Sequence, residues 1–371
     1  MMKPLIVAGN GIRIAGEQNR FHDCIDRWQV PFVTTWTGAD LIPTDHPLNT
    51  GIIGMAGQIG ANKAVQECDH LIAIGTHLSY PQTSTLTAQF APQAKITVVD
   101  IDQQQLENMN VRVDEKLCMS VSQYFDQTYD NAPALDIGPW RNTCAELKKL
   151  NAIGNPRASY GINSYFFNDL MTRMLPPGTC MVIDGGGTAL YTGFQSSHVK
   201  EGSRLVCSSS MSAMGSGLPE AVGACLANGK RLTTCIIGDG SLMLNLQELQ
   251  TIVHHKLPIK IFVINNSGYL AIRHTQDGFL EGRHTGVGGS KDKSVSFPDV
   301  DRIAAAFRIP YCIVAHPQGA EEIIGSALDR PSPVLCEVIC PQDQQMRWRQ
   351  SFAKEGDKFV PQTLDQMESS A

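Results

Sequence analysis

Two polar residues that end short apolar runs carry the chemistry of this sequence. Asp239 follows the run Leu232–Ile237, and Asn266 follows Ile259–Ile264. A carboxylate and a side-chain amide oxygen are hard ligands of the kind Mg²⁺ or Ca²⁺ accepts, and Mg²⁺ usually completes its octahedron with phosphate oxygens and water. Gly238 and Gly240 flank Asp239 and Ser241 follows, so the backbone there can approach a phosphate closely. Gly268, two residues past Asn266, can offer its carbonyl to the same ion without crowding it. The stretch reads as a metal–diphosphate clamp with Asp239, Asn266 and Gly268 as metal ligands. Gly-Asp-Gly by itself is a common turn. The weight lies in the whole pattern: a strand, GDG, twenty-four residues, then Asn-Asn at the end of a second strand.

The elements around these residues must bring them to one place. Asn245 with Glu248 three residues later has the spacing of an N-cap and its capping-box partner. Leu246, Leu249 and Val253 then recur on one helical face. Leu257-Pro258 ends that helix, because proline cannot continue it and restricts the residue before it. A strand–helix–strand crossover of this kind is right-handed and leaves its strands parallel. Both carboxyl ends then lie on one edge, where open α/β sheets bind ligands.

A second glycine-rich strand end lies upstream. Cys180–Ile183 runs into Asp184-Gly185-Gly186-Gly187-Thr188-Ala189, after a helix expected over Ser164–Met174. Successive backbone N–H groups in such turns make anion-binding concavities; a flexible loop fits those residues equally well. Ser212–Pro219 opens a helix that runs through Ala227, and it places Met214 among small residues, where methionine usually serves core packing.

The first third of the chain alternates strands and helices. Strands are expected at Leu5–Ala8, Pro31–Thr35, His70–Gly75 and Ile96–Ile101, with helices at Glu17–Trp28 and Asn62–Glu67. This alternation predicts a doubly wound, mainly parallel sheet. Gly9-x-Gly11 begins a dinucleotide fingerprint, but Ile14 stands where its third glycine belongs. A tight turn is the better reading, and it weakens the case for a Rossmann-type oxidoreductase. Residues 129–160, with Pro133, Pro139 and Pro156, read as a linker spanning one short helix, Trp140–Leu150. Further on, Pro298–Phe307 closes as a helix, and Pro310–Val314 and Val334–Ile339 as strands. The glycine-rich Gly282–Lys293 segment is expected as a mobile loop at the site mouth, and the polar tail after Cys340 as a free end or a lid.

Bulk properties narrow the classes. A length of 371 residues suggests two domains or three. A net charge of −6 without a basic stripe argues against a nucleic-acid partner. Eleven cysteines without a C-x-x-C pair fit a reducing compartment, with Cys24, Cys225 and Cys235 as buried thiols. No run approaches the roughly 20 apolar residues that cross a bilayer, and the apolar start is too short for a signal peptide. A cytoplasmic location is expected.

The GDG–NN pattern resembles the thiamine diphosphate fingerprint of the acetolactate synthase-like enzymes. Lys3–Gly11, Ala73–Gly75 and Val98–Asp102 are similar to pieces of the same family's central domain. The resemblance implies two α/β domains, each a doubly wound mainly parallel sheet. These are a central Rossmann-like domain over residues 1–128 and a diphosphate-binding domain over 161–371, joined by 129–160. It implies thiamine diphosphate and Mg²⁺ as cofactors. The cofactor would be met by Gly187, Thr188, Ala189, Met214, Gly238, Asp239, Gly240, Ser241, Asn266, Gly268, Tyr269 and Leu270. Met214 would support the bent form of the cofactor. FAD, which some members hold in the central domain, is disfavoured because Thr76-His77 stands where an arginine usually follows the glycine matched by Gly75. A tryptophan of acetolactate synthases is matched by Thr275, which puts that particular reaction in doubt. The family acts on 2-keto acids by decarboxylation and carboligation, and its activating glutamate lies on a separate pyrimidine-binding domain. No catalytic residue is therefore assigned on this chain. A pyrimidine-binding domain or subunit is the expected partner, in a homo- or hetero-oligomer, with an apolar face around Met214 and Leu270 left to meet it. A non-catalytic protein that retains the fold is the alternative.

Overall fold

A computed structural model describes residues 2–131, 136–153, 158–208, 211–356 and 358–369. Pro133 and Pro156 of the expected linker lie outside the described residues. The chain divides into two compact units, Met1–Ala152 with Arg347–Ala371, and Ile153–Met346.

The first unit is built on a six-stranded sheet of β1 (Pro4–Ala8), β2 (Phe32–Thr34), β3 (Asn49–Ile52), β4 (His70–Ile74), β5 (Lys95–Asp100) and β6 (Glu115–Cys118). Its order is β3-β2-β1-β4-β5-β6, and every pairing is parallel. β1 is buried along its whole length, as expected of a parallel strand covered on both faces. β3 and β6 escape the sequence reading. β3 (Asn-Thr-Gly-Ile) lacks an apolar run, and β6 alternates half-buried and exposed positions at the sheet edge. Gly9 and Gly11 do make a tight passage: a Cβ at Gly9 would lie 2.2 Å from the Gly75 carbonyl.

Two segments take places that the sequence did not suggest. The helix Gly138–Lys149 belongs to the first unit, with Trp140 buried and its indole N–H donating to the Pro4 carbonyl at 2.8 Å. Asn151 continues that attachment through the carbonyl of Thr50 and the N–H of Gly60. The tail is not free in this structure. Gln350 donates to Ser84 at 2.6 Å, Asn62 to the Met367 sulfur, and Leu364 and Met367 are buried. The tail falls with the first unit rather than with residues 161 onward.

The second unit repeats the architecture with β7 (Cys180–Ile183), β8 (Arg204–Val206), β9 (Thr233–Gly238), β10 (Ile259–Asn265), β11 (Tyr311–Val314) and β12 (Val334–Ile339). The order is β11-β12-β10-β9-β7-β8, again parallel throughout. The helix Ser164–Met174 has the predicted bounds, capped by Asn163. From β7 the chain first pairs outward to β8 and then returns to the other side as β9. This is a topological switch point, the place where open α/β sheets leave a crevice at their carboxyl edge.

Candidate functional site

The carboxyl ends of β7, β9 and β10 supply the three loops of this crevice. Register holds them level: Ile183 pairs with Ile236, and Gly238 with Ile264. A cavity of about 70 Å³ opens there. Its wall contains every residue assigned from sequence, namely Gly187, Thr188, Ala189, Met214, Gly238, Asp239, Gly240, Ser241, Asn266, Gly268, Tyr269 and Leu270. Gly186, Ala271 and Ile272 also line it and were missed.

Glycines are required where these loops interlock. A Cβ at Gly187 would sit 2.3 Å from the Ala271 side chain, and one at Gly240 would sit 2.3 Å from the Tyr269 ring. The glycine-rich strand end after β7 is therefore a built turn. Asp184, wholly buried, accepts N–H bonds from Gly186 at 2.8 Å and from Gly217 at 3.0 Å. It thereby ties the glycine turn to the start of the Gly217–Ala227 helix. The ten-residue helices Gly187–Ser196 and Leu270–Phe279 both present their N-terminal residues to the cavity. Unpaired N–H groups and the helix dipole make such ends favourable to anions.

Asp239 is buried at the floor of the crevice. Its carboxylate accepts the N–H of Gly240 at 2.7 Å and that of Gly268 at 2.9 Å. Burial nevertheless dominates and pushes its pKa up to about 6; these N–H groups, the Arg273 charge and the Asn266 N–H hold it from rising further. Asn266 is equally buried. Its amide Nδ2 donates to the Thr188 hydroxyl at 3.3 Å, while its Oδ1 has no hydrogen-bond partner. The Gly268 carbonyl accepts from Leu270 N–H at 3.1 Å, which leaves one of its lone pairs. A buried carboxylate poor in countercharge beside an unsatisfied buried amide oxygen is a donor set that fits a hard divalent cation. Among the described residues no three His, Cys, Asp or Glu side chains gather for a metal. The fit thus rests on one carboxylate with amide and carbonyl oxygens.

Several expectations are corrected here. The capping box at Asn245 and Glu248 does not form. Asn245 Oδ1 accepts from Gln247 Nε2 at 3.1 Å and its Nδ2 donates to the Gly215 carbonyl at 2.9 Å, and the helix starts later, at Glu248, without a side-chain cap. Leu270 is only 2% exposed, so it belongs to the wall and not to an open face. Exposed apolar side chains include Met214 and Ile272, which line the cavity, and Met243 and Leu244, which follow the Asp239–Leu242 helix. Gly282–Lys293 is also tied down: Tyr269 N–H donates to the Val287 carbonyl at 2.9 Å, and Gly268 bridges Gly288. Asp292 accepts N–H bonds from Val287, Gly288 and Ser294. The Ser294 hydroxyl and these N–H groups hold its carboxyl far below the usual range.

Comparison with known proteins agrees with this geometry. Residues 185–338 match the family described as thiamine pyrophosphate enzyme, C-terminal TPP binding domain. Residues 2–127 match the thiamine pyrophosphate enzyme central domain. Acetolactate synthase 1, chloroplastic, of Zea mays is 29% identical over 351 residues, which is 93% of this chain and 54% of that protein. Acetolactate synthase, chloroplastic, of Arabidopsis thaliana is 30% identical over 352 residues, 93% of this chain and 52% of that protein. The chain thus spans about half the length of these curated relatives. With both family domains matched in order, on two parallel α/β units, the chain belongs to the acetolactate synthase-like thiamine pyrophosphate enzymes.

Proposed function

We propose that this chain is the metal- and diphosphate-holding portion of a thiamine diphosphate enzyme that decarboxylates or ligates 2-keto acids. The observation that carries the reading is the unpartnered Asn266 Oδ1 buried with Asp239 in the wall of one cavity. Asp239 and Asn266, with the Gly268 carbonyl, would hold Mg²⁺. The N–H groups of Gly187, Thr188 and Ala189 would face the diphosphate, and Met214 and Leu270 would form apolar walls. When bound, thiamine diphosphate supplies an electron sink for breaking and making bonds at the carbonyl carbon of a 2-keto acid.

The chain's own residues would bind and orient, and no glutamate among the described residues lines the cavity. A cavity of about 70 Å³ is also far below the roughly 300–1,000 Å³ of a complete small-molecule site. We therefore infer that a pyrimidine-binding domain, on another chain or segment, supplies the remaining walls and the activating acid. The exposed Met214, Met243, Leu244 and Ile272 support an interface there, since apolar patches of this kind mark interaction sites. The same lack of a glutamate favours, as second reading, a protein that binds the cofactor without turning it over.

No helix among the described residues is long and apolar enough to cross a membrane. The eleven free cysteines support placement in a reducing, cytoplasm-like compartment. Titration calorimetry with thiamine diphosphate, with and without Mg²⁺, tests the assignment. Metal-dependent binding is expected, and its absence would rule out the clamp.

A further inference from the structure

Arg273 lies directly behind the proposed clamp and contributes nothing to its wall. It is the fourth residue of the Leu270–Phe279 helix and is 4% exposed. Burying a guanidinium is costly unless its donors are used. No carboxylate among the described residues comes within ion-pair distance of it; its two Nη atoms donate to backbone carbonyls, while its buried Nε has no hydrogen-bond partner. Nη2 donates to Asn266 O at 3.0 Å and to Gln342 O at 3.2 Å, and Nη1 to Ser267 O at 3.3 Å.

The surrounding backbone is shaped for this side chain. A Cβ at Gly268 would lie 2.9 Å from Nη1, and one at Gly289 would lie 2.7 Å from it. Two glycines on separate loops thus leave the slot through which the guanidinium passes. The segment it grips needs gripping: Ser267 sits at φ 57° and Gly268 at φ 144°, both in the positive-φ region. Side chains rarely adopt such backbone unless the surroundings hold it there. The gripped residues carry the orphaned Asn266 Oδ1 and immediately precede the Gly268 carbonyl.

We propose that Arg273 is the positioning residue of the metal site, a three-point clip that fixes the Asn266–Gly268 turn in ligand geometry before the cation arrives. The inference rests on the clamp reading above and deepens it. Mg²⁺ tolerates little departure from octahedral geometry, and residues that orient ligands typically carry a 10–100-fold share of metal affinity. Lysine is no substitute, because an ammonium is a point donor and cannot span three carbonyls in a plane.

The test uses the full chain with saturating thiamine diphosphate and Mn²⁺ as a paramagnetic stand-in for Mg²⁺. Free Mn²⁺ is read by its electron paramagnetic resonance signal, and folding by near-UV circular dichroism and thermal melting. Wild type should bind Mn²⁺. Arg273→Ala and Arg273→Lys should remain folded at the assay temperature and bind about ten- to a hundred-fold more weakly. Millimolar guanidinium should restore part of the affinity of Arg273→Ala, a rescue that general destabilisation would not show. If Arg273→Ala does not fold, the comparison passes to Arg273→Lys, which keeps charge and most of the bulk. Affinities within about twofold of wild type in the folded variants would overturn the role of Arg273 while leaving the clamp intact. So would a loss that guanidinium cannot repair and that tracks melting temperature alone. Absence of Mn²⁺ binding by wild type would overturn both.

Discussion

Asp239 and Asn266 meet only because two strand ends are level, yet each tolerates its burial for the sake of the other's setting. Asp239 has its pKa raised to about 6 by burial, so as a lone carboxylate it is a cost to the fold. Asn266 keeps an unsatisfied oxygen where most buried polar atoms are paired. A divalent cation would relieve both. Asp239→Ala should therefore weaken Mg²⁺-dependent thiamine diphosphate binding by at least about tenfold, since it removes the one charged ligand. Calorimetry that returned wild-type affinity would count against the metal assignment. Gly268→Ala addresses the neighbouring backbone. Its new methyl would sit 2.2 Å from the Val287 carbonyl at a φ of 144°. Strain at one such position costs on the order of 1–3 kcal/mol. The melting temperature should fall by several degrees, together with metal affinity, and an unchanged melt would show that the turn can relax.

At the scale of elements, β10 does two jobs. Its carboxyl end delivers Asn265 and Asn266, while its amino end buries Lys260, which no apolar pattern would predict. The ammonium is satisfied by the carbonyls of Ser332 (2.6 Å) and Arg330. Burial, and then the charge of Arg330, lower its pKa from 10.5 to about 8. The sign follows from proton counting. Between pH 8 and about 10.5 the unfolded chain holds the lysine proton more firmly than the folded one, so this group's contribution to stability rises with pH. Below pH 8 both states are protonated, and the penalty of burying the charge is fully present. The urea midpoint of wild type relative to Lys260→Met should therefore move in favour of wild type between pH 7 and pH 10. Taking the difference cancels the cysteines and tyrosines that titrate in both proteins. A gap independent of pH would mean that the lysine is better solvated than its position suggests.

The whole molecule sets what the chain can accomplish alone. The cavity offers the proposed metal and anion contacts, but no glutamate among the described residues lines it and it encloses only a fraction of a full ligand site. A positioned acid or base typically contributes 10²–10⁴-fold to a proton-transfer step. The chain by itself should bind thiamine diphosphate weakly and should not turn over pyruvate. Addition of a pyrimidine-binding domain should produce sedimentation of a larger species and exchange of the cofactor's acidic C–H proton in deuterated water. Exchange by the chain alone at the rate of a complete enzyme would show that a group within it replaces the missing acid.

Local sequence was enough to pick out the residues that line this cavity, because their signals are local. Asp239 and Asn266 follow apolar runs, and the glycines of 185–187, 240 and 268 mark places where backbone must turn or approach closely. Parallel pairing then follows from handed crossovers, without any long-range detail. The failures have a common physical cause. The Nδ2 of Asn245 is taken by the Gly215 carbonyl, thirty residues away, and its Oδ1 by the Gln247 side chain rather than by a helix N–H. Leu270 turned inward because the Leu270–Phe279 helix begins at the cavity itself. The tail joined the first unit through Gln350, Leu364 and Met367, contacts that no nearby residue announces. Arg273 is the plainest case. An arginine on an amphipathic helix ordinarily faces water, and its role exists only where residues 266, 267, 289 and 342 come together. Periodicity and turn chemistry reside in the chain itself, whereas the choice of hydrogen-bond partner for a buried side chain depends on which distant backbone groups folding leaves within reach.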